Sequence, residues 1–202
     1  MNRRLVVIVD YGVGNLASVE GAVHRAGHRS LVSRDRGTLA SADLLLLPGV
    51  GAFPAAMESL HRHDLVGVLR KQALDGQPLL GICLGMQLLA DLSLENGSTE
   101  GLGLIAGRVE PHPDGVRHIG WNRLRVRPDE PWLAGLDDEF FYFNHGYYFQ
   151  AERDARVAVA EHGGDVVAAV RRGRIAGVQF HPEKSQGAGA RLMAGLIEHL
   201  TA

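Results

Sequence analysis

The sequence predicts a single α/β domain built on a mostly parallel central sheet with helices on both faces. In the first half of the 202-residue chain, short runs of consecutive apolar residues alternate with segments of helical length. Strands that are apolar on both sides belong to parallel sheets covered on both faces. Glycines cluster at the ends of these runs, where turns between strand and helix need them. Shorter, closely spaced runs in the second half predict antiparallel hairpins added to the parallel core.

Three apolar runs predict the first strands of the sheet: residues 5–10, 44–47 and 79–82. The first run leads through a glycine-rich turn into a helix that reaches about Arg25. Asp64 is in position to cap the N-terminus of a helix that Gly76 and Pro78 end. The third run leads through Cys83 into a helix over residues 86–91.

The second half predicts further strands and a final helix. The strand runs are residues 140–149, 156–161, 166–170 and 175–180. The C-terminal helix is predicted by apolar residues that recur every three or four: Leu192, Met193, Leu196, Ile197 and Leu200. Trp121, Trp132 and the aromatic residues of the 140–149 run are interpreted as core. No linker or repeat interrupts the chain, so residues 1–202 are predicted to form one domain.

Composition excludes several classes of protein. With 46% hydrophobic residues and a net charge of −2, the chain is too apolar to be disordered. Its 21 basic and 23 acidic residues argue against nucleic acid as a partner. No apolar run approaches the ~18 residues of a membrane span, and residues 5–10 are too short for a secretory signal. A single cysteine allows no internal disulfide, which favours a cytoplasmic location.

The only cysteine lies in residues 81–85 (GICLG), between a predicted buried strand and a predicted helix. This arrangement is typical of a nucleophile elbow, in which flanking glycines avoid side-chain clashes in a tight turn. The helix N-terminus stabilises a thiolate, so Cys83 is a candidate nucleophile. The alternative is a buried structural cysteine, the commoner fate of a lone cysteine.

A thiolate nucleophile needs a base and a group that orients the base. Residues 179–183 (QFHPE) offer both directly after a predicted strand. At strand spacing, His181 and Glu183 are expected to point the same way, with Pro182 restricting the backbone between them. The alternative is a solvated histidine and a surface glutamate at a strand end.

Two glycine-rich turns follow predicted parallel strands, at residues 12–15 and 48–51. The backbone N–H groups of Gly49, Val50 and Gly51, with that of Leu84, form a candidate oxyanion hole. A phosphate-binding loop is the alternative, but neither turn has the spacing of such loops. His61 and His63 have no matching cysteine or second histidine pair, so no metal site is expected.

Six segments together resemble the class I (triad) glutamine amidotransferases and, among them, the glutaminase subunits of imidazole glycerol phosphate synthases. The segments are residues 8–16, 47–53, 80–89, 101–105, 118–122 and 177–185. The elbow and the His-Pro-Glu motif are shared by the whole superfamily, whereas residues 101–105, 118–122 and the Lys-Ser ending point to these subunits. Two departures are visible: Arg117 stands where the family usually has proline, and residues 144–147 (NHGY) replace the more familiar Val-His-Ser-Tyr.

The resemblance implies a class I glutamine amidotransferase domain whose triad is Cys83, His181 and Glu183. It implies that glutamine is held by Gly51, Gln87, Glu95, Gly146 and Tyr147, and that no cofactor is needed. The implied partner is a (β/α)₈-barrel cyclase subunit, which forms a heterodimer with the glutaminase and receives ammonia through a channel. Asn15 and Lys184 are the residues expected on the partner interface.

The implied function is glutamine hydrolysis to glutamate and ammonia, as part of a lyase complex in histidine biosynthesis. The cyclase would use the ammonia to make imidazole glycerol phosphate and the aminoimidazole carboxamide nucleotide. Two alternatives remain open. One is an amidotransferase subunit of another synthase, for anthranilate, guanylate or a modified sugar. The other is a non-enzymatic regulatory binder with the same fold.

Overall fold

A computed structural model describes residues 3–112 and 115–202. The strands are β1 Leu5–Val9, β2 Arg29–Ser33, β3 Leu44–Leu47, β4 Leu79–Ile82, β5 Leu92–Ser93, β6 Thr99–Glu100, β7 Gly107–Pro111, β8 His118–Arg123, β9 Arg125–Val126, β10 Phe140–His145, β11 Tyr147–Ala151, β12 Arg156–Glu161, β13 Asp165–Arg172 and β14 Ile175–Val178. The helices are α1 Leu16–Arg25, α2 Arg36–Ala40, α3 Phe53–Arg62, α4 Leu65–Leu74, α5 Leu84–Gln87 and α6 Gln186–Leu200. Short 3₁₀ turns span Pro131–Leu133, Arg153–Ala155 and Pro182–Lys184.

The central sheet has eight strands in the order β2-β1-β3-β4-β14-β13-β12-β9. The first five run parallel to one another, and the last three continue the sheet in antiparallel pairing. The predicted α/β class with a mostly parallel sheet is therefore confirmed.

Helices cover both faces of this sheet because its strands are apolar on both sides. In β1, Val6 and Ile8 pack in the core that contains α1 and α6, whereas Val7 and Val9 pack in the core that contains α3 and α4. The α6 residues predicted from helical spacing are all buried: Leu192, Met193, Leu196, Ile197 and Leu200. Each buried side chain of this size contributes about 1.5–3 kcal/mol of hydrophobic stabilisation.

The antiparallel hairpins expected in the second half are confirmed for β12–β13 and β13–β14, but residues 140–149 are arranged differently. Residues 140–149 form two strands that belong to different sheets: β10 pairs with β8, and β11 pairs with β7 in a small sheet that also holds β5 and β6. The break between them falls at Gly146. The last strand, β14, is antiparallel to β13 but parallel to β4, so it joins the added strands to the core.

Two helix termini also differ from the prediction. The helix after Cys83 spans Leu84–Gln87 rather than residues 86–91. Asp64 does precede α4, but its backbone is left-handed at φ 54° and its side chain makes no capping hydrogen bond. Among the described residues, no helix is long and apolar enough to cross a membrane.

Candidate active site

Three neighbouring parallel strands, β3, β4 and β14, end at the same edge of the central sheet. The glycine-rich turn of residues 48–51 follows β3, Cys83 follows β4, and His181 comes shortly after β14. The backbone N–H of Cys83 donates to the carbonyl of Val178, 2.8 Å away, and fixes the ends of β4 and β14 together. The carboxyl edge of an open α/β sheet is where such folds build their sites.

Cys83 occupies a strained turn between β4 and α5. Its backbone has φ 55° and ψ −112°, a conformation that side-chain-bearing residues rarely adopt. Glycines on either side make the turn possible. A Cβ on Gly81 would lie 2.5 Å from the carbonyl oxygen of Gly85, and a Cβ on Gly85 would lie 1.9 Å from the carbonyl oxygen of Leu47.

Adding one methyl group at a glycine of this elbow should therefore strongly lower the stability of the fold. We expect Gly85→Ala to destabilise the fold by about 3 kcal/mol, because the new Cβ meets rigid backbone rather than a movable side chain. The control is Gly67→Ala at an exposed position of α4, where a Cβ would have no neighbour within 4 Å. That change should stabilise the protein by about 0.5–1 kcal/mol. Urea unfolding of both variants measures the difference, and equal stabilities would contradict the close approach.

His181 and Glu183 are in direct contact. Nδ1 of His181 lies 2.8 Å from Oε1 of Glu183, and both side chains are buried. The sequence spacing predicted that they share a strand, but they do not. The chain turns at Pro182–Lys184 instead, and this turn brings the carboxylate back to the ring. The backbone of His181 is anchored by three further bonds. Its N–H donates to the carbonyl of Tyr142 at 2.8 Å, and its carbonyl accepts from the hydroxyl of Ser185 at 2.6 Å and from the N–H of Lys184 at 3.1 Å.

The surroundings of His181 favour its protonated form. Burial alone would lower its pKa, but hydrogen bonds to Cys83 and Glu183 and the charges of both groups outweigh burial and raise the pKa to about 9. Near neutral pH the ring is thus an imidazolium held between a carboxylate and the cysteine sulfur. Gln179 donates a weak hydrogen bond from Nε2 to the same sulfur, at 3.9 Å.

The turn of residues 48–51 packs tightly against the elbow. A Cβ on Gly49 would lie 2.8 Å from the backbone nitrogen of Gly85 and 2.9 Å from the hydroxyl of Tyr11. That hydroxyl donates to the carbonyl of Pro48 at 2.6 Å, which fixes one end of the turn. Further along, Gly51 has φ +94°, and Val50 is 42% exposed. The turn therefore lies beside Leu84 and Cys83, as an oxyanion hole requires.

A cavity of about 550 Å³ opens above Cys83, within the usual size range of small-molecule sites. All the sequence-predicted glutamine-binding residues line it: Gly51, Gln87, Glu95, Gly146 and Tyr147. Val50, Leu84, His181 and Lys184 line it as well. Gly49 and Glu183 do not line the cavity.

Two polar side chains of the cavity are held in place by the protein itself. Gln87 donates from Nε2 to the carbonyl of Tyr147 at 2.9 Å and to Oε1 of Gln179 at 3.0 Å. Because both amide protons are used, Gln87 offers a ligand its carbonyl oxygen, an acceptor. Glu95 accepts the backbone N–H of Phe53 at 2.7 Å. Both groups therefore suit a ligand that carries an ammonium.

The two residues expected at a partner interface are exposed. Asn15 precedes α1, and its side chain accepts the N–H of Ser18 at 3.4 Å. Lys184 lies at the mouth of the cavity, with Nζ 5.6 Å from the ring centre of Tyr142. Helix α1 contacts the Pro182–Lys184 turn, so both residues belong to the same side of the molecule.

The interpretation of Trp121 and Phe140 as core residues is wrong; Phe140 is 45% exposed at the start of β10, whereas Phe141, Phe143 and Phe149 are buried as expected. Trp132 is buried, but Trp121 is 48% exposed and stands edge-on to Tyr142, with 6.0 Å between ring centres. Strand β8 alternates inward and outward residues, and Ile119 is also exposed on its outer side. Alternation along β8 puts Ile119 and Trp121 on one face, and the fold leaves that face exposed as an apolar surface beside Tyr142.

Two buried histidines near the cavity, His118 and His145, are not among the site residues predicted from the sequence. His145 lines the cavity, and burial lowers its pKa to about 3; burial likewise lowers the pKa of His118 to about 4. Both rings are therefore neutral near pH 7. Within residues 3–112 and 115–202, no group of three or more His, Cys, Asp or Glu is arranged to hold a metal ion.

Comparison with known proteins gives a consistent result. A family model described as glutamine amidotransferase class-I matches residues 7–197. Imidazole glycerol phosphate synthase subunit HisH of Symbiobacterium thermophilum is 47% identical over 193 residues, which are 94% of this chain and 91% of that protein. The proteins of the same name from Streptococcus gordonii and Methanothermobacter thermautotrophicus are 41% and 43% identical, over 97% and 98% of this chain and 97% and 100% of theirs.

Solved structures share the fold. The crystal structure of a glutamine amidotransferase matches with a TM-score of 0.77 and 22% identity, over 97% of this chain and 99% of that one. PurLQS from Thermotoga maritima matches with a TM-score of 0.77 and 20% identity, over 98% and 100%. At this level of identity the likeness concerns architecture alone.

Proposed function

The chain belongs to the class-I glutamine amidotransferase family, and on that premise we infer that it is the glutaminase subunit of an imidazole glycerol phosphate synthase. It hydrolyses glutamine to glutamate and ammonia in histidine biosynthesis. The observation that carries this conclusion is the 47% identity, over 94% of the chain, to a protein of that name. The cysteine elbow, the His181–Glu183 contact and the cavity above them supply the chemistry that such a subunit needs.

In the mechanism that we propose, the thiolate of Cys83 attacks the γ-carboxamide carbon of glutamine. Backbone N–H groups of Leu84 and of the turn at residues 49–51 stabilise the oxyanion. The C–N bond then breaks, and the imidazolium of His181 gives its proton to the departing ammonia. The resulting neutral ring takes a proton from water, the hydroxide attacks the thioester, and glutamate leaves. Glu183 orients the ring through Nδ1 in both steps.

Substrate recognition follows from the groups that line the cavity. Glu95 and the carbonyl oxygen of Gln87 would accept hydrogen bonds from the glutamine ammonium. Gly146 and Tyr147 would position the rest of the substrate by their backbone. Each of these groups is already held in place, so little ordering is needed when glutamine binds.

The relatives are named as subunits of a synthase, and this chain acts as a subunit of such a complex. We propose that its partner is a (β/α)₈-barrel cyclase and that residues 1–202 form one domain in a cytoplasmic heterodimer. Ammonia in neutral water is mostly ammonium, a poor nucleophile, so a direct channel to the acceptor favours synthesis. Lys184 lines the mouth of the cavity and suits a docking face there. Exposed Asn15 precedes α1, which contacts the Pro182–Lys184 turn, and exposed Trp121 lies against Tyr142, the ring that Lys184 faces.

Purified chain, assayed for glutaminase with and without the cyclase, tests the proposal. We expect glutamate release to be slow for the chain alone and to rise in the complex, together with formation of imidazole glycerol phosphate. The controls are synthase subunits that make anthranilate, guanylate or modified sugars. Activation by one of these, without activation by the cyclase, would identify a different amidotransferase. No glutaminase activity with any partner would favour the regulatory binder.

Lys184→Ala tests the docking face. We expect glutamine-dependent synthesis to fall about tenfold, since one well-placed charge contact across an interface contributes on the order of 1.4 kcal/mol. The matched control is the chain's other lysine, Lys71, which is exposed on α4 and paired with Asp75. Lys71→Ala should leave synthesis unchanged, and neither variant should alter alkylation of Cys83 by a small reagent. Unchanged synthesis and complex formation in Lys184→Ala would place the interface elsewhere.

A further inference from the structure

We propose that Arg117 binds the α-carboxylate of glutamine and so selects substrates with a free carboxylate. This rests on the proposed glutaminase function, which it deepens by assigning a residue to one end of the substrate.

Arg117 lies on the wall of the cavity, next to Gly146. Strands β8 and β10 are antiparallel, with His118 opposite His145, so the residues just beyond this pair, Arg117 and Gly146, are also neighbours. Both line the cavity above Cys83. A Cβ on Gly146 would lie 3.5 Å from Cγ and 3.6 Å from Nε of Arg117. A longer side chain at residue 146 would crowd the guanidinium, whereas glycine leaves it room at the cavity wall.

The charge of Arg117 is available to a ligand. Among the described residues it forms no ion pair, unlike eight other arginines: Arg34, Arg36, Arg62, Arg108, Arg125, Arg127, Arg171 and Arg191. Its side chain is exposed rather than used in the core. A cation that lines a polar cavity without an acidic partner is suited to bind an anionic group of the substrate.

The cavity is complementary to an amino-acid zwitterion. Among the described lining residues, Glu95 is the one carboxylate, and it is held at the start of α3 by the N–H of Phe53. Besides the triad residue His181, the lining cations are Arg117, beside Gly146, and Lys184, at Tyr142. Lys184 follows the triad residue Glu183 on the proposed docking side, which leaves Arg117 for the substrate. The planar guanidinium can also hold both carboxylate oxygens at once, which a lysine cannot.

Binding is measured by calorimetry on the complex with Cys83→Ala, so that glutamine is not consumed. We expect Arg117→Met to raise the Kd for L-glutamine about tenfold and Arg117→Lys to raise it less. The control is Arg29→Met, at an exposed residue of β2 that does not line the cavity. Its Kd should equal that of Cys83→Ala alone. A Kd that Arg117→Met leaves unchanged would overturn the proposal.

A second measurement separates charge recognition from packing. With Cys83 intact, KM is compared for L-glutamine and L-glutamine methyl ester, which keeps the γ-amide and loses the carboxylate charge. Arg117→Met should raise KM about tenfold for glutamine and less than twofold for the ester, with ammonia-dependent synthesis unchanged. Equal losses on both substrates, or loss of ammonia-dependent synthesis, would show that Arg117 acts through packing or docking. Absence of turnover in the unmodified complex would instead overturn the proposed function.

Discussion

Replacing Cys83 with alanine should abolish glutamine-dependent synthesis while leaving ammonia-dependent synthesis by the cyclase subunit largely intact. Cys83 is the chain's only thiol, lies in a strained elbow at the start of α5 and lines the same cavity as His181. Without the sulfur no thioester forms, and removal of a catalytic nucleophile lowers turnover by about 10³-fold or more. The cyclase does not need that step when ammonia is supplied in solution. The two activities, measured on one preparation, therefore separate the nucleophile from the rest of the complex.

Covalent labelling provides the control for this variant. A glutamine analogue that alkylates thiols should add its mass to the unmodified chain at Cys83, and Cys83→Ala should remain unlabelled. Unfolding in urea checks that the variant keeps its stability, because Cys83 is buried in the core. Residual glutamine-dependent synthesis near the unmodified rate, in a stable and unlabelled variant, would disprove the assignment.

Much of this site could be predicted because its residues follow strand ends. Continuous apolar runs indicate where the strands lie in the sequence, and the carboxyl ends of parallel strands meet at one edge of the sheet. Cys83 and the turn of residues 48–51 were located in this way. The contact between His181 and Glu183 was also predicted, but the prediction attributed it to side-chain alternation along a strand. It depends on the turn at Pro182–Lys184 and not on alternation along a strand.

Features that depend on long-range pairing could not be predicted in the same way. Nothing local indicates that β10 pairs with β8 while β11 joins another sheet, so the break at Gly146 became visible only in the fold. The same pairing sets Arg117 beside Gly146, 29 residues away in sequence. Trp121 was interpreted as a core residue because aromatic residues are usually buried. In the fold it lies on the side of β8 that is exposed to solvent.

His181 and Glu183 should differ in how much activity their replacement removes. His181→Ala removes the acid and base of both half-reactions, and we expect glutaminase turnover in the complex to fall about 10⁴-fold. Glu183→Gln keeps an oxygen that can accept from Nδ1 and removes only the charge. The ring also stays anchored by the backbone bonds of His181 to Tyr142 and Ser185. A loss of about 10²-fold is therefore expected for Glu183→Gln.

The pH profile distinguishes an orienting carboxylate from a merely structural one. Glu183 helps to raise the pKa of His181 to about 9, and the ring must be protonated to release ammonia, so activity should decline as pH rises through that pKa. Without the negative charge the pKa of His181 falls, and the alkaline limb of kcat/KM should move to lower pH by about one unit. The control is Glu58→Gln at an exposed residue of α3, whose ion pair within the described part of the chain is with Arg62. Its profile should match that of the unmodified complex. If Glu183→Gln loses activity equally at every pH, the carboxylate supports the fold and not the charge on His181.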